Sequence, residues 1–490
     1  MKTVKISKLL GVILASSVCL YSNELNVVVD YGLKNHPVVK ERLSNYEKTV
    51  YDLKISKSEY LPTLDYTGRF GYEKTLDQIG TNGKVGYNTY QNSLILTQNL
   101  FNGLKSKHRI EYEEARVMAA AYNYVEQTND VAYNIVRNYI NLLKFSELYE
   151  LEKENVSLTR EIFNKTKELT DSGLETISNL KKVDSSLQLS EFNLITQNNN
   201  LVDAQYNLFR NTGIKLNYSE IKEPAFDYDL PKTENEALQH ALKYNPSIIV
   251  SQYNAQTAKK NINSSRGNFS PEIDLELAYR FDKNTGGDAG HERSYSAMFV
   301  VRHNFYNGNA DYNALKKSKL TLMQENELIR DIRRQVKESL QLSWSAYTNV
   351  EKQILFLNSY LAASKETLEL FKVEFEAGTR TLIDLLSAQD DYISARNKFI
   401  TAKYDYLLSK YRILDAMGEL VNTIFNKEIA DKDFYKPLFV ENNNIIEAKT
   451  YDYSDIDNDK ILDIQDICDS TYPDDLVNND GCSKNSKILN

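Results

Sequence analysis

The sequence predicts an α+β protein in which one unit, consisting of a helix, a β-hairpin, a long helix and a returning helix, is used twice. Three observations carry that prediction. The chain repeats itself in a fixed register: the Gly-Leu-Lys-Asn-His-Pro run ending at Pro37 recurs as the Ala-Leu-Lys-Tyr-Asn-Pro run ending at Pro246, and Pro62 recurs as Pro271, both 209 residues on. Phe101-Asn102-Gly103 recurs as Tyr306-Asn307-Gly308, Gly173 as Gly378 and Gly213 as Gly418, all 205 residues on, so four residues are dropped between Pro271 and Tyr306. Self-similarity held over about 200 residues marks a duplicated unit. Second, each copy contains a pair of short runs with period-two alternation. Third, each pair is followed by an uninterrupted helical run of about 68 residues.

The elements follow in order. Residues 1–22 read as a secretory signal peptide, with Lys2, Lys5 and Lys8 ahead of an apolar stretch from Leu9 to Leu20 and then Tyr21-Ser22-Asn23. Acylation at Cys19 is the alternative reading of that stretch, and Val18 just before it argues against it. The first repeat occupies residues 23–218, the second 219–420, and a tail 421–490. Each repeat opens with helical spacing, over Leu25 to Ser58 and Thr233 to Ser265, predicting one helix of about 34 residues that ends before an X-Pro step.

Strands are predicted within residues 63–101 and 272–306. Leu64, Tyr66, Phe70 and Tyr72 share one face while Asp65, Thr67, Arg69 and Glu73 share the other. Ile273, Leu275, Leu277, Tyr279 and Phe281 likewise oppose Asp274, Glu276, Arg280 and Asp282. The returning strands, Tyr87 to Phe101 and Ser294 to Phe305, alternate less cleanly, with Phe299, Val301 and Phe305 on one face. The loops Gly80-Thr81-Asn82-Gly83 and Gly286-Gly287-Asp288-Ala289-Gly290 make each pair a hairpin. Asn-Gly then opens helices over Leu104 to Asp171 and Asn309 to Glu376, each roughly 100 Å long. Turns centred on Gly173 and Gly378 lead into returning helices of about 39 residues that end at Gly213 and Gly418. In the first, Leu180, Val183, Leu187, Leu194, Leu201, Ala204 and Leu208 form a coiled-coil seam interrupted by Ser190 and Gln197.

Strands with one apolar and one charged face suit a membrane barrel with a polar lumen. No later segment has the roughly 18 uninterrupted apolar residues of a spanning helix, so a place in a membrane would be taken with strands. Four strands cannot close a barrel, since the smallest need eight, so the chain must assemble with copies of itself into eight, twelve or sixteen strands. The rival reading is a periplasmic structural coiled-coil protein carrying small hairpins.

Composition excludes several classes. The formal net charge of −9 becomes about −12 when the three leader lysines are removed, and no Lys/Arg block stands out, so nucleic acid is not an expected partner. His36, His108, His240, His291 and His303 are scattered without metal spacing, and there is no phosphate-binding Gly-rich loop or Gly-x-Ser-x-Gly elbow, so no enzyme activity and no required cofactor are expected. Cys468 and Cys482 are the only thiols after the leader. In an oxidising compartment they read as one disulfide, with free thiols the alternative.

The run Gly378-Thr379-Arg380-Thr381-Leu382-Ile383-Asp384-Leu385-Leu386-Ser387-Ala388-Gln389, continued by Tyr404-Asp405-Tyr406-Leu407 and closed by Ala416-Met417-Gly418, resembles the second-repeat signature of the TolC family of outer-membrane channel-tunnels. The resemblance covers residues 25 to 420. It implies a homotrimer with a 12-stranded β-barrel among outer-membrane lipid, continued by a periplasmic α-helical barrel that docks a membrane-fusion adaptor and an inner-membrane transporter. Residue by residue, it implies adaptor-docking tips at Gly173, Leu174, Gly378 and Thr379. It implies a pore constriction at Asp384, with Ser387 standing where some relatives carry a second acid, and a gate latch at Arg380, for which Asn179 occupies the first-repeat position. The stretch from Gly378 to Met417 looks closer to type I protein secretion members than to drug-efflux members, and drug efflux is the alternative.

In the tail, Asp455, Asp457, Asp459, Asp463 and Asp466 fall at positions 1, 3, 5, 9 and 12 of a loop, a spacing at which carboxylates wrap calcium. With Cys468, Pro473 and Asp480-Gly481-Cys482 they resemble a thrombospondin type 3 repeat, although Lys460 stands where glycine is expected. The resemblance implies a weak calcium loop stapled by Cys468 and Cys482. A disordered acidic tail is the alternative.

Overall fold

The computed structural model describes residues 24–76, 85–219 and 221–425. The segments expected as a signal peptide with Cys19, as the Gly80–Gly83 turn, and as a tail with calcium-binding aspartates and two cysteines lie outside the described residues. In chain order the elements are α1 (Leu25–Asn35), α2 (Pro37–Ser58), β1 (Thr63–Thr75), β2 (Val85–Phe101), α3 (Lys105–Asp171), α4 (Ile177–Thr212), α5 (Glu234–Tyr244), α6 (Pro246–Arg266), β3 (Glu272–Lys283), β4 (His291–Arg302), α7 (Ala310–Glu376), α8 (Leu382–Met417) and α9 (Leu420–Ile424). The repeat order predicted from the sequence is therefore present twice. The described residues fall into two compact units. Among the described residues, one is drawn from 24–36, 131–229 and 347–411, the other from 37–130, 230–346 and 412–425.

The opening helix of each repeat corrects the sequence expectation. It is two helices, broken at His36 before Pro37 and at Asn245 before Pro246, where both residues turn extended at ψ near 125°. Proline disfavours the helical conformation of the residue before it while its own fixed φ suits a first helical position, so each X-Pro step ends one helix and starts the next. Asn245 serves the break by accepting from the Ser247 N–H at 2.9 Å as the cap of α6.

In the second unit the four strands form one antiparallel sheet in the order β1-β2-β3-β4, so the two repeats meet where β2 pairs with β3. The register sets Leu64 beside Leu96, Leu96 beside Leu277 and Leu277 beside Ala297, and one row away Tyr66, Leu94, Tyr279 and Tyr295 stand in line. On the opposite face Arg302 binds both Asp274 and Glu276, and Asn99 donates to Asp274 at 2.8 Å. β4 ends at Arg302, so Phe305 lies beyond the strand in which the alternation placed it.

Each hairpin passes into its long helix through two successive left-handed residues, Gly103 and Leu104 (φ 67° and 62°) or Gly308 and Asn309 (φ 55° and 64°). The helices therefore start one residue later than predicted. α3 then packs on two sides through one short run: Val117, Ala120 and Ala121 meet Tyr46 of α2, while Met118 and Ala119 meet Tyr253 of α6, whose ring stacks on Tyr122 at 5.8 Å. The i, i+3, i+4 spacing supplies one face and the intervening residues the other.

In the first unit the seam of α4 buries Val183, Leu187, Ser190, Leu201, Ala204 and Leu208, with the Ser190 hydroxyl turned back to the Leu187 carbonyl at 2.8 Å. α3 and α8 run antiparallel, joined by polar pairs at successive levels. Gln389 donates to Asn155 Oδ1 (2.9 Å) and Thr159 (2.6 Å), Arg396 binds Glu154, Tyr404 donates to Glu147 (2.9 Å), and Lys144 faces Asp405 (3.4 Å). The segment after α4 is held by buried Tyr139, whose hydroxyl donates to the Lys222 carbonyl (2.6 Å) and accepts from its N–H (3.1 Å).

The helices α3, α7 and α8 end in Schellman turns. At the first, Leu174 N–H reaches Leu169 O and Gly173 N–H reaches Thr170 O. At the second, Thr379 reaches Glu374 and Gly378 reaches Phe375. At the third, Glu419 reaches Leu414 and Gly418 reaches Asp415. The glycines have φ of 74°, 74° and 76°. A Cβ on Gly378 would meet nothing within 4 Å, whereas one on Gly418 would lie 2.3 Å from Pro246 Cδ. Gly378→Ala is therefore expected to cost about 1 kcal/mol from backbone conformation alone, and Gly418→Ala about 2–4 kcal/mol because overpacking adds to it. Denaturant unfolding of the two variants checks this; equal losses would mean that the α5–α6 break yields to the added methyl.

Candidate functional site: two helical tips and an acidic cavity

The residues predicted to dock, constrict and latch all lie at two helical tips of the first unit. The α3–α4 tip is Ser172-Gly173-Leu174-Glu175, and Leu174 and Ile177 stand there 77% and 71% exposed. Thr176 caps α4 by accepting from the Asn179 N–H at 3.2 Å, and Glu175 accepts from the Asn179 amide at 2.8 Å. The α7–α8 tip repeats the device. Thr381 accepts from the Asp384 N–H at 3.2 Å and donates its hydroxyl to the Asp384 carboxylate at 2.8 Å. A threonine cap with a polar partner three residues on satisfies orphan donors of the first turn, and the carboxylate gains from the helix dipole.

The offset of 205 makes Asn179 the repeat counterpart of Asp384, and Glu175 the counterpart of Arg380. Ser387 is exposed one turn beyond Asp384. Arg380 donates to Glu374 at 2.7 Å and lies 4.0 Å over the ring of Phe371. Within the chain, then, Arg380 is engaged by its own turn, and Asn179 by Glu175. Glu374 and Glu175 were missed from the sequence, although each sits four to six residues from the side chain it holds, close enough for a short-range search to find.

A second feature was not read from the sequence at all. In the second unit a cavity of about 330 Å³ is lined by Glu126, Asn129, Asp130, Asn245, Gln335 and Asp415 among others. Its roof is the end of α8. Asn245 donates to the Ala416 carbonyl at 3.0 Å, and Asn129 donates to the Gly418 carbonyl at 3.3 Å while accepting from the Val421 N–H at 3.0 Å. These amides satisfy terminal groups that a helix cannot satisfy itself. Asp130 is itself exposed, yet desolvation of its carboxyl by the protein around it, reinforced by the charge of Glu126, raises its pKa from 3.8 to about 6. Among the described residues no group of three or more His, Cys, Asp or Glu could hold a metal ion.

The family described as outer membrane efflux protein matches residues 29–213 and 237–419, the two repeats and most of the chain. The chain belongs to the outer membrane efflux protein family. Its relatives include the outer membrane efflux protein BepC of Brucella suis, 22% identical over 78% of this chain and 82% of that one. TolC of Escherichia coli is 24% identical over 76% and 77%. The fold is also that of the Campylobacter jejuni CmeC outer membrane channel, at a TM-score of 0.72 and 19% identity over 81% of this chain and 86% of that one. As an outer membrane efflux protein the chain is a passive channel component of the outer membrane and not an enzyme. No helix among the described residues is long and apolar enough to cross a membrane.

In this family member the raised pKa of Asp130 gives stability a definite pH dependence. The folded chain holds the proton more tightly than an unfolded one, so the contribution is complete below about pH 4 and is lost as pH rises through about 6. Asp130→Asn is expected to match wild type at pH 4 and to be more stable at pH 7.5, flattening the melting profile between these limits. Melting curves across the range test this, and an undiminished pH slope in the variant would assign the titration elsewhere.

Proposed function

We propose that the chain forms, as a homotrimer, the exit duct of a tripartite export system, conducting substrate passively from an inner-membrane transporter and a periplasmic adaptor to the outside. The observation that supports it most is the sheet. It has one apolar and one charged face, and among the described residues β1 and β4 each keep an open edge. In hydrocarbon an open edge leaves backbone groups unsatisfied, so the sheet must close, and three copies supply twelve strands. Exposed apolar stripes support assembly too: Leu189, Phe192 and Ile195 on α4, and Leu355, Phe356 and Val373 on α7, are left for neighbouring copies to cover.

In this reading the Gly173-Leu174 and Gly378-Thr379 tips receive the adaptor, with exposed Leu174 as an apolar contact. Asp384 and Ser387 ring the entrance of the helical barrel, and Arg380 and Asn179 belong to the latch that holds it shut. The cargo is an unfolded protein in type I secretion, on the strength of the Gly378 to Met417 run. Small-molecule efflux is the second reading, favoured by BepC, which is named an efflux protein. The tail aspartates Asp455, Asp457, Asp459, Asp463 and Asp466 bind calcium weakly beside a Cys468–Cys482 disulfide.

Planar-bilayer recording of the purified protein, with gel mobility of an unheated sample, tests the duct. Long-lived openings from a trimer-sized species are expected; a folded monomer without conductance would return the chain to a structural coiled coil. Three Asp384 carboxylates around one axis attract cations. Asp384→Ala should bring the cation-to-anion permeability ratio toward unity, and unchanged selectivity would remove Asp384 from the constriction.

A further inference from the structure

Charge is segregated across the sheet more completely than closure of a barrel requires. The register assigns positions 64–74 (even) of β1, 86–98 (even) of β2, 273–283 (odd) of β3 and 291–301 (odd) of β4 to one face. That face has no Asp or Glu at any position. Its cations, Lys74, Lys283 and Arg293 with His291, occupy only the rows nearest the hairpin loops. Every row farther in is apolar, aromatic or neutral. The acids of the sheet, including Asp65, Glu73, Asp274, Glu276, Asp282 and Glu292, all stand on the other face.

The cations are neither scattered nor neutralised. Lys283 is directly opposite His291, and Arg293 is opposite Phe281 in the next row. Same-face neighbours in these positions have Cβ atoms about 5–8 Å apart, so the two cations belong to one patch in adjacent rows. Lys283 Nζ stands 6.0 Å over the ring of Tyr90, and the Arg293 guanidinium 5.4 Å over Phe281, on which His291 also stacks. Among the described residues neither Lys283 nor Arg293 has a carboxylate within ion-pair distance. From Lys283 to Ile273 is ten residues, roughly 34 Å along a strand. At a tilt of about 40° this is about 26 Å along the membrane normal, the height of a barrel's apolar band. The cations therefore stand at one boundary of the hydrocarbon, at the strand ends remote from the helices.

We propose that Lys283 and Arg293, framed by Tyr90, Phe281 and His291, form a docking site on the outer wall for the phosphate groups of an outer-leaflet glycolipid. Charge complementarity argues for that occupant: two unpaired cations on an acid-free face at the headgroup level meet an anionic lipid surface, and such cations contribute attraction additively. The aromatic rings seat the acyl–headgroup boundary, as aromatic girdles do. The site rests on the outer-membrane duct reading, because only that reading puts this face in lipid.

The test uses the full chain purified in detergent, with lipid retention read by native mass spectrometry. The probes are lipid A, a bis-phosphorylated glycolipid, and the same glycolipid after phosphatase treatment. Wild type is expected to retain lipid A roughly tenfold or more above the dephosphorylated form, and the Lys283→Gln/Arg293→Gln variant to hold both equally. Lys283→Arg should keep the preference, as should Arg69→Gln on the opposite face. Equal retention of the two lipids by wild type, or an undiminished preference in the double variant, would overturn the proposal, as would displacement of lipid A by inorganic phosphate alone. Bilayer conductance of the same samples separates the two readings: conducting protein without phosphate preference overturns only the lipid site, whereas protein that never enters the bilayer removes the duct as well.

Discussion

An antiparallel sheet that offers an apolar face to lipid cannot keep an open edge, and this constraint orders the rest of the molecule. Among the described residues β1 and β4 each have one side without a partner strand. In water such edges would be solvated; in hydrocarbon each unpaired N–H and C=O is costly. Duplication meets the constraint halfway, because β2 pairs with β3 and turns two hairpins into one four-stranded sheet. In the proposed duct the remaining half falls to other copies of the chain, so that an oligomer follows there from backbone chemistry before any side chain is considered.

Away from the sheet, α3 and α8 are joined by polar pairs in addition to apolar packing. Gln389 reaching Asn155 and Thr159, Arg396 on Glu154 and Tyr404 on Glu147 succeed one another along α3 and α8. Burying such groups contributes little net energy when they are satisfied and is costly when they are not, so their effect is on alignment. A seam of leucines alone would tolerate a shift of one heptad. A seam in which a glutamine must find an asparagine and a threonine tolerates far less.

Much of this was legible in the sequence because it rests on local patterns. The strands are visible in their two-residue alternation, the long helices in unbroken helical spacing, and the tips in glycines that only a left-handed turn demands. The breaks at His36 and Asn245 are hidden in the sequence because apolar spacing continues across them; the proline that ends one helix also opens the next. Asp384 was legible as a first-turn acid, but its hydrogen bond to Thr381 emerges only with the cap geometry. The cavity around Asp130 was invisible for a different reason. Its walls come from α3, α6, α7 and the end of α8, and no periodicity relates residues so far apart.

The capping of α8 also bears on when the chain can fold. The carbonyl of Gly418 is bound by Asn129, 289 residues earlier, and that of Ala416 by Asn245, 171 residues earlier. The end of α8 therefore stays uncapped until residues 416–421 have found partners made far earlier in the chain. Contacts of this separation are slow to form. Until they do, the apolar strands exist beside unfinished helices, a state in which exposed apolar surface favours misassembly.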